Sequence, residues 1–135
     1  MSKMQINYEG SFSTKILSFS GEVECITDAP KEHGGKGERL SPTDIFAASL
    51  GSCVVTILAI HAKKMEVPFD GVKATVEKKA TPTGSISEIL VEVHYPGVLS
   101  KEIKEKLENA AKHCPIHQCI DSKIKQVIVI KTTNE

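Results

Sequence analysis

The most constraining feature of this sequence is an uncharged apolar run from Ile45 to Ile60, about 16 residues long. It follows Ser-Pro-Thr-Asp, in which Ser41 can cap a helix and Asp44 can reach back to the free amides of the first turn. A helix that is apolar on all sides is buried or crosses a membrane, and a bilayer needs roughly 20 apolar residues. The run therefore predicts a buried central helix that is too short to span a membrane.

Apart from Leu50, the middle of this run, Ala-Ala-Ser-Leu-Gly-Ser, has only small side chains, and Cys53 follows it directly. Small residues allow another part of the protein to approach closely, so we expect a tight contact beside this thiol. The 135 residues, 40% of them hydrophobic, suffice for one domain, and we expect a single domain over residues 1–135. A monomer of this size can hardly cover a helix that is apolar all round. We therefore predict a homodimer in which a second subunit completes the burial.

The charges of the chain balance, with 17 basic and 17 acidic residues and a net charge of +0. This balance gives no electrostatic basis for binding nucleic acid or an anionic membrane surface. The N-terminal residues MSKMQINYEG lack the long apolar segment of a signal peptide. We therefore expect a cytoplasmic protein with neither a nucleic-acid nor a membrane partner.

Alternating apolar residues and turn signals place strands on both sides of the central helix. The predicted strands are 3–9, 15–19, 22–27, 72–79, 86–95 and 124–130, with a long loop at 27–40 and a second helix at 100–112. The order β-β-β-α-β-β-α-β predicts an α+β fold, with an antiparallel sheet wrapped on the central helix. The last strand is apolar on both faces, so we expect it to be internal in its sheet.

Four cysteines in a cytoplasmic chain indicate packing, metal binding or redox chemistry. Cys25 alternates with its strand neighbours, which favours packing. Cys53 and Cys114 both lie on the apolar faces of helices, so they can approach each other. Pro115 fits the first position of a new helical turn, which makes Cys114 its cap and predicts a lowered pKa for the Cys114 thiol. The imidazoles at positions 113 and 117 could add positive charge beside it.

The segment 113–119, His-Cys-Pro-Ile-His-Gln-Cys, also admits a metal site. Zinc is bound by cysteine and histidine, usually in C-x₂₋₄-C pairs with a second pair elsewhere. Cys114 and Cys119 come close to this spacing, but a second cluster is missing unless Cys53 joins them. Structural zinc therefore stays open as an alternative, and Cys119 is otherwise expected to pack.

Two stretches of the chain resemble a known family. They are TDAPKEHGGKGERLSPTDIFAASLGSC, which ends at Cys53, and AAKHCPIH, which contains Cys114. Together they resemble the OsmC/Ohr family of osmotically inducible protein C and organic hydroperoxide resistance proteins, in its divergent OsmC-like branch. The resemblance covers nearly the whole chain in the same element order. It implies an intertwined homodimer of α+β subunits, a pair of redox-active cysteines and no cofactor.

Carried over from this resemblance, Cys53 is the peroxidatic cysteine and Cys114 the resolving cysteine of a peroxidase for oxidative-stress defence. An external dithiol would reduce their disulfide, and an aliphatic pocket would favour organic hydroperoxides over hydrogen peroxide. Active family members place a Glu ten residues before the first cysteine, where this chain has Thr43 followed by Asp44. They also use an arginine farther upstream, whereas the sole arginine here is Arg39. We expect Arg39, Thr43 and Asp44 to support the site.

Two further functional hypotheses remain beside the peroxidase. In one, the protein is a non-catalytic OsmC-like protein that binds an apolar small molecule in the dimer pocket, and the cysteines only pack or sense oxidants. In the other, the chain is a degenerate homologue that keeps the fold without the chemistry.

Overall fold

The computed structural model of this protein describes residues 3–133. These residues form two compact units, one that ends at Phe46 and one that begins at Ala47. The α+β class and the order of the predicted elements are confirmed, and the helical turn expected at Pro115 is present as a short helix before the last strand. The single domain over residues 1–135 and the homodimer stay predictions.

The first unit is a three-stranded antiparallel meander followed by a long loop. Its strands are β1 (Gln5–Gly10), β2 (Ser13–Leu17) and β3 (Val23–Asp28), in the spatial order β1-β2-β3. The loop contains a single 3₁₀ turn, Lys31–His33. Main-chain hydrogen bonds brace the loop against the end of β3, since the Asp28 N–H donates to the Leu40 carbonyl at 3.1 Å.

The second unit contains a three-stranded sheet and three helices. The central helix α1 begins in the first unit and continues into the second. The elements are α1 (Pro42–Lys64), β4 (Lys73–Ala80), β5 (Ile86–His94), α2 (Lys101–Ala111), α3 (Pro115–Cys119) and β6 (Lys125–Lys131). Fully buried side chains from α1, β5 and α2, including Leu50, Leu58, Ile89 and Leu107, form its core.

Two expectations about the last strand were wrong. The sheet order is β4-β5-β6, so β6 lies at the edge of the described sheet and β5 is central. β6 also runs parallel to β5, because α2 and α3 return the chain to the end of the sheet where β5 began. The apolar character of β6 is explained by α2, which packs against it.

The central helix is longer than its uncharged run. It spans 23 residues because the Pro-Thr-Asp at its start and the polar residues at its end are also helical. The expectation that it is too short to cross a membrane was therefore wrong, because α1 is long and apolar enough to span one. The core helices of soluble proteins also meet this criterion of length and composition. Its buried residues share one face, and they are Ala47, Leu50, Gly51, Val54, Leu58 and Ala62. Apolar residues also lie off this face, such as Ile60, whose side chain is 46% exposed.

Gly51 marks the closest approach of α1 to the sheet. A Cβ atom built on Gly51 would lie 2.4 Å from Cγ2 of Val76 in β4, well inside the distance at which real carbon atoms meet. The absence of a side chain at this position therefore lets α1 lie directly on β4. This is the tight contact that the small residues before Cys53 predict.

Candidate active site: a pair of thiols

Cys53 lies in the second half of α1, on a side chain that is half-buried and packed against the core of the second unit. Leu50 and Val54 on the same helix are fully buried, so the helix presents the Cys53 sulfur at the margin of the core. The chemical surroundings are aliphatic. His61 is not directed to the thiol, because its Nδ1 donates to the Ile57 carbonyl at 3.0 Å.

Cys114 is fully buried at the junction between α2 and α3. Its backbone is extended, with φ −60° and ψ 125°, and it forms the N-cap of α3 with Pro115 at the first helical position. The Sγ atom accepts a hydrogen bond from the His117 main-chain N–H at 3.4 Å. The Cys53 side chain lies close enough to this thiol to affect its pKa. The structure thus brings the two cysteines together within one chain.

The pKa of the Cys114 thiol is raised above its ordinary value of 9.0. Burial is the largest cause, and the hydrogen bond and charge of Cys53 add to it. The N–H groups of His117 and Ile116 act in the opposite direction but do not outweigh burial. The expectation that the helix start lowers the pKa of Cys114 was therefore wrong, because one short turn offers less stabilisation to a thiolate than the core removes. Cys114 is accordingly a protonated thiol at neutral pH.

The other cysteines and histidines differ from this pair in their burial and their contacts. Cys25 is half-buried in β3, whereas Cys119 is exposed at the end of α3, so its expected packing role was wrong. His113 is exposed, and the ring of His117 bonds to Gln126. Residues 3–133 contain no group of three or more His, Cys, Asp or Glu side chains arranged to hold a metal ion. The zinc alternative therefore has no ligand set in that part of the chain.

Of the three residues expected to support the site, Thr43 and Asp44 lie in the first turn of α1 and Arg39 lies in the loop before it, all in the first unit. Ser41 and Asp44 form a capping box, since the Asp44 carboxylate accepts the Ser41 N–H at 2.9 Å and the Ser41 hydroxyl accepts the Asp44 N–H at 3.1 Å. The Thr43 hydroxyl lies 3.1 Å from that of Ser41. Arg39 and Asp44 line a common cavity of about 350 Å³. Their support of the thiols stays a prediction.

Two polar residues that the sequence analysis did not single out, Asp28 and Gln126, make unusual contacts. Asp28 is only 1% exposed and lines the cavity of Arg39; one of its carboxylate oxygens accepts the Glu38 N–H at 3.2 Å. Its other oxygen has no hydrogen-bond partner among the described residues. Gln126 bonds to His117 from β6. The sequence signal for Gln126 was a single amide in the apolar strand KQVIVIK. The sequence signal for Asp28 was a lone acidic residue at the end of a strand.

Fold and site together define a class: a small α+β protein in which a half-buried thiol on a central helix meets a buried thiol between two shorter helices. The family profile described as OsmC-like protein matches residues 35–128. The chain belongs to this family, which confirms the OsmC/Ohr resemblance.

Similar proteins are found in several bacteria. An uncharacterised protein of Acinetobacter baylyi is 33% identical over 109 residues, which cover 78% of this chain and 76% of the relative. The crystal structure of an osmotic stress induced and detoxification response protein from Psychrobacter arcticus has a TM-score of 0.91 and 33% identity, covering 97% of this chain and 96% of that one. An organic hydroperoxide resistance protein OsmC from Legionella pneumophila shares the fold, with a TM-score of 0.76, 19% identity and coverage of 97% and 96%.

Proposed function

We propose that this protein is a thiol-dependent peroxide reductase that acts on organic hydroperoxides through Cys53 and Cys114. The observation that carries the proposal is the proximity of these two thiols within one chain, at the edge of an aliphatic core. Membership of the OsmC-like family supports it, as does a shared fold with the organic hydroperoxide resistance protein of Legionella pneumophila.

The first step uses Cys53 as the nucleophile. The Cys53 thiol loses its proton, its thiolate attacks the terminal peroxide oxygen, and the O–O bond breaks to give a Cys53 sulfenic acid and an alkoxide. The alkoxide takes up the proton that Cys53 released and leaves as the alcohol. Cys53 suits this step better than Cys114 because it is the more accessible of the two.

The second step uses Cys114 as the resolving thiol. Its sulfur attacks the Cys53 sulfenic acid, an S–S bond forms, and the S–O bond breaks to release water. An external dithiol then reduces the disulfide by thiol–disulfide exchange and returns both cysteines to the starting state. The aliphatic surroundings of the pair favour an organic hydroperoxide over hydrogen peroxide, because they interact with an alkyl group and offer hydrogen peroxide little to bind.

The active form is proposed to be a cytoplasmic homodimer without a nucleic-acid or membrane partner. Support comes from apolar side chains that the single chain leaves uncovered. In the first unit, Met4, Ile6 and Tyr8 of β1 or just before it are 64%, 59% and 66% exposed on one side of the strand. In the second unit, Ile60 of α1 is exposed in the same way. Surfaces of this kind are commonly covered by a second subunit.

A second candidate function is binding of an apolar small molecule without catalysis. An open groove of about 400 Å³ runs between α1 and β4 in the second unit. It is lined by small and aliphatic side chains such as Ala48, Val55 and Val76. A ligand that co-purifies with the protein and is detected by mass spectrometry after extraction, together with thiols that do not react with peroxide, would favour this function.

The deciding experiment measures peroxide consumption by the reduced protein, with tert-butyl hydroperoxide and hydrogen peroxide in parallel. We expect the organic peroxide to be consumed faster and a Cys53–Cys114 disulfide to appear by mass spectrometry. Cys53→Ser should abolish consumption, whereas Cys114→Ser should allow one turnover followed by over-oxidation of Cys53. Cys25→Ser is the matched control, because Cys25 is also half-buried but lies in the first unit, in β3. Full activity of Cys53→Ser would overturn the assignment.

A further inference from the structure

A single side chain of β6 holds the turn that carries the resolving cysteine. Gln126 bonds to His117 at two points: its Oε1 lies 2.5 Å from Nδ1 of the imidazole, and its Nε2 donates to the His117 main-chain carbonyl at 3.1 Å. One bond fixes the ring and the other fixes the backbone of the same residue. Gln126 is itself anchored, because it pairs in the sheet with Ile89 of the central strand β5, a residue that is fully buried.

The donor and acceptor of one hydrogen bond between Gln126 and His117 determine those of the other. Because the amide nitrogen of Gln126 donates to a carbonyl, its oxygen is left as the acceptor for the ring. Nδ1 of His117 must then carry a proton and donate to Oε1. An amide is the one uncharged side chain of this length that offers a donor and an acceptor side by side, so the match between Gln126 and His117 is specific.

The main chain of His117 is also the group that contacts the Cys114 sulfur. Its N–H donates to Sγ at 3.4 Å, and the N–H of Ile116 assists. These two N–H groups act against burial on the pKa of Cys114, since they stabilise the thiolate. A series of contacts therefore leads from the sheet through Gln126 and His117 to the resolving thiol.

We propose that Gln126 and His117 are positioning residues for Cys114, which hold the His117 N–H against the Cys114 sulfur and thereby set the rate at which Cys114 closes the disulfide with Cys53. This role rests on the proposed peroxide reductase function and specifies its second step. Cys114 must attack as a thiolate, and the fixed N–H groups are what stabilise a thiolate at this buried position. The contacts of both residues lead to Cys114, so we expect the first step, which takes place at Cys53, to be independent of them.

The test separates the two steps with variants of both residues. Gln126→Met keeps the length of the side chain but removes both hydrogen bonds, and His117→Leu removes the ring donor. His117→Asn can place an amide N–H where Nδ1 lies and should rescue the rate. Ile128→Met is the matched control, because Ile128 is half-buried on the same face of β6 and this exchange conserves volume. Each reduced variant receives one equivalent of tert-butyl hydroperoxide, and sulfenic acid and disulfide are followed by quenching and mass spectrometry.

We expect Gln126→Met and His117→Leu to form the sulfenic acid at the wild-type rate but the disulfide about tenfold more slowly at pH 7, the factor that corresponds to one pKa unit. The difference from wild type should shrink as the pH rises, because hydroxide then supplies the thiolate that the N–H groups supply at neutral pH. His117→Asn and Ile128→Met should resolve at close to the wild-type rate. An unchanged rate in Gln126→Met would overturn the proposal, as would an equal slowing of both steps or a slowing that does not vary with pH.

A second oxidant distinguishes failure of this proposal from failure of the proposed function. Diamide oxidises a dithiol to a disulfide without a peroxide and is itself reduced to the hydrazine. If the wild-type protein consumes no peroxide, the peroxide reductase function fails, and diamide still measures how fast Cys114 closes on Cys53. Slow closure in Gln126→Met that recovers at high pH would then support the positioning role by itself, and closure at the wild-type rate would refute it.

Discussion

Replacing Gly51 by alanine tests how closely α1 lies on the sheet. In an exposed helix interior this exchange gains about 1 kcal/mol, because glycine is the poorer helix former. Here the new Cβ would lie 2.4 Å from Cγ2 of Val76, where carbon atoms prefer about 3.5–4.0 Å. Overpacking of this kind costs about 1–3 kcal/mol, and valine has few rotamers with which to avoid it. We therefore expect Gly51→Ala to lower the free energy of unfolding by up to about 2 kcal/mol, the difference between these two effects.

Urea denaturation of a double-mutant cycle provides the measurement. In a Val76→Ala background the obstructing methyl group is absent, so Gly51→Ala should become stabilising by about 1 kcal/mol, and the two sites should couple by about 1–3 kcal/mol. Ser52→Ala is the control for helix propensity, because Ser52 is the exposed neighbour on the same helix. All variants are compared at one protein concentration, since a dimer's stability depends on it. A stabilised Gly51→Ala in the wild-type background would refute the close contact.

Four further outcomes are expected. Leu58→Ala should lower the free energy of unfolding by about 2–5 kcal/mol in urea denaturation, because Leu58 is fully buried in the core. Arg39→Ala should slow peroxide consumption, while Lys36→Ala, an exposed cation of the same loop, should not; equal rates for both would dismiss a role for the arginine. The raised pKa of Cys114 should place the midpoint of its alkylation by iodoacetamide above pH 9.0, and the midpoint should fall in Cys53→Ser, because Cys53 contributes to the raised pKa. The stability that this thiol contributes is fully present below pH 9.0 and is lost as the pH rises through its raised pKa, which urea denaturation between pH 8 and 10 can follow.

The elements with strong local signals were predictable from the sequence. The capping residues Ser41 and Asp44 mark the start of α1, and the order of strands and helices follows from alternation and turn residues. The approach of Cys53 and Cys114 could be anticipated because Cys53 lies in an apolar helix and Cys114 continues the apolar spacing of α2. In each case the signal comes from residues that are close together in the sequence, or from apolar residues that repeat with the period of the helix or strand.

Properties that depend on long-range packing were not predictable. An apolar strand such as β6 must be covered, but its sequence does not say whether another strand or a helix covers it. The raised pKa of Cys114 depends on how deeply the whole core buries the sulfur, whereas the local motif contains only the N–H groups that act against this. The bonds between Gln126 and His117 join residues nine positions apart across a turn, and no periodic pattern marks them.

The parallel pairing of β6 with β5 bears on when this site forms during folding. Cys53 lies on a helix that local interactions can begin to form, but its partner depends on a strand that comes about 70 residues later, and contacts of such long range form slowly. Until β6 has docked and Gln126 bonds to His117, Cys53 lacks the thiol that we propose as its resolving partner. Nascent and partly unfolded chains would then be the forms most easily over-oxidised at Cys53, so that irreversible damage by peroxide would mark immature molecules and spare mature ones.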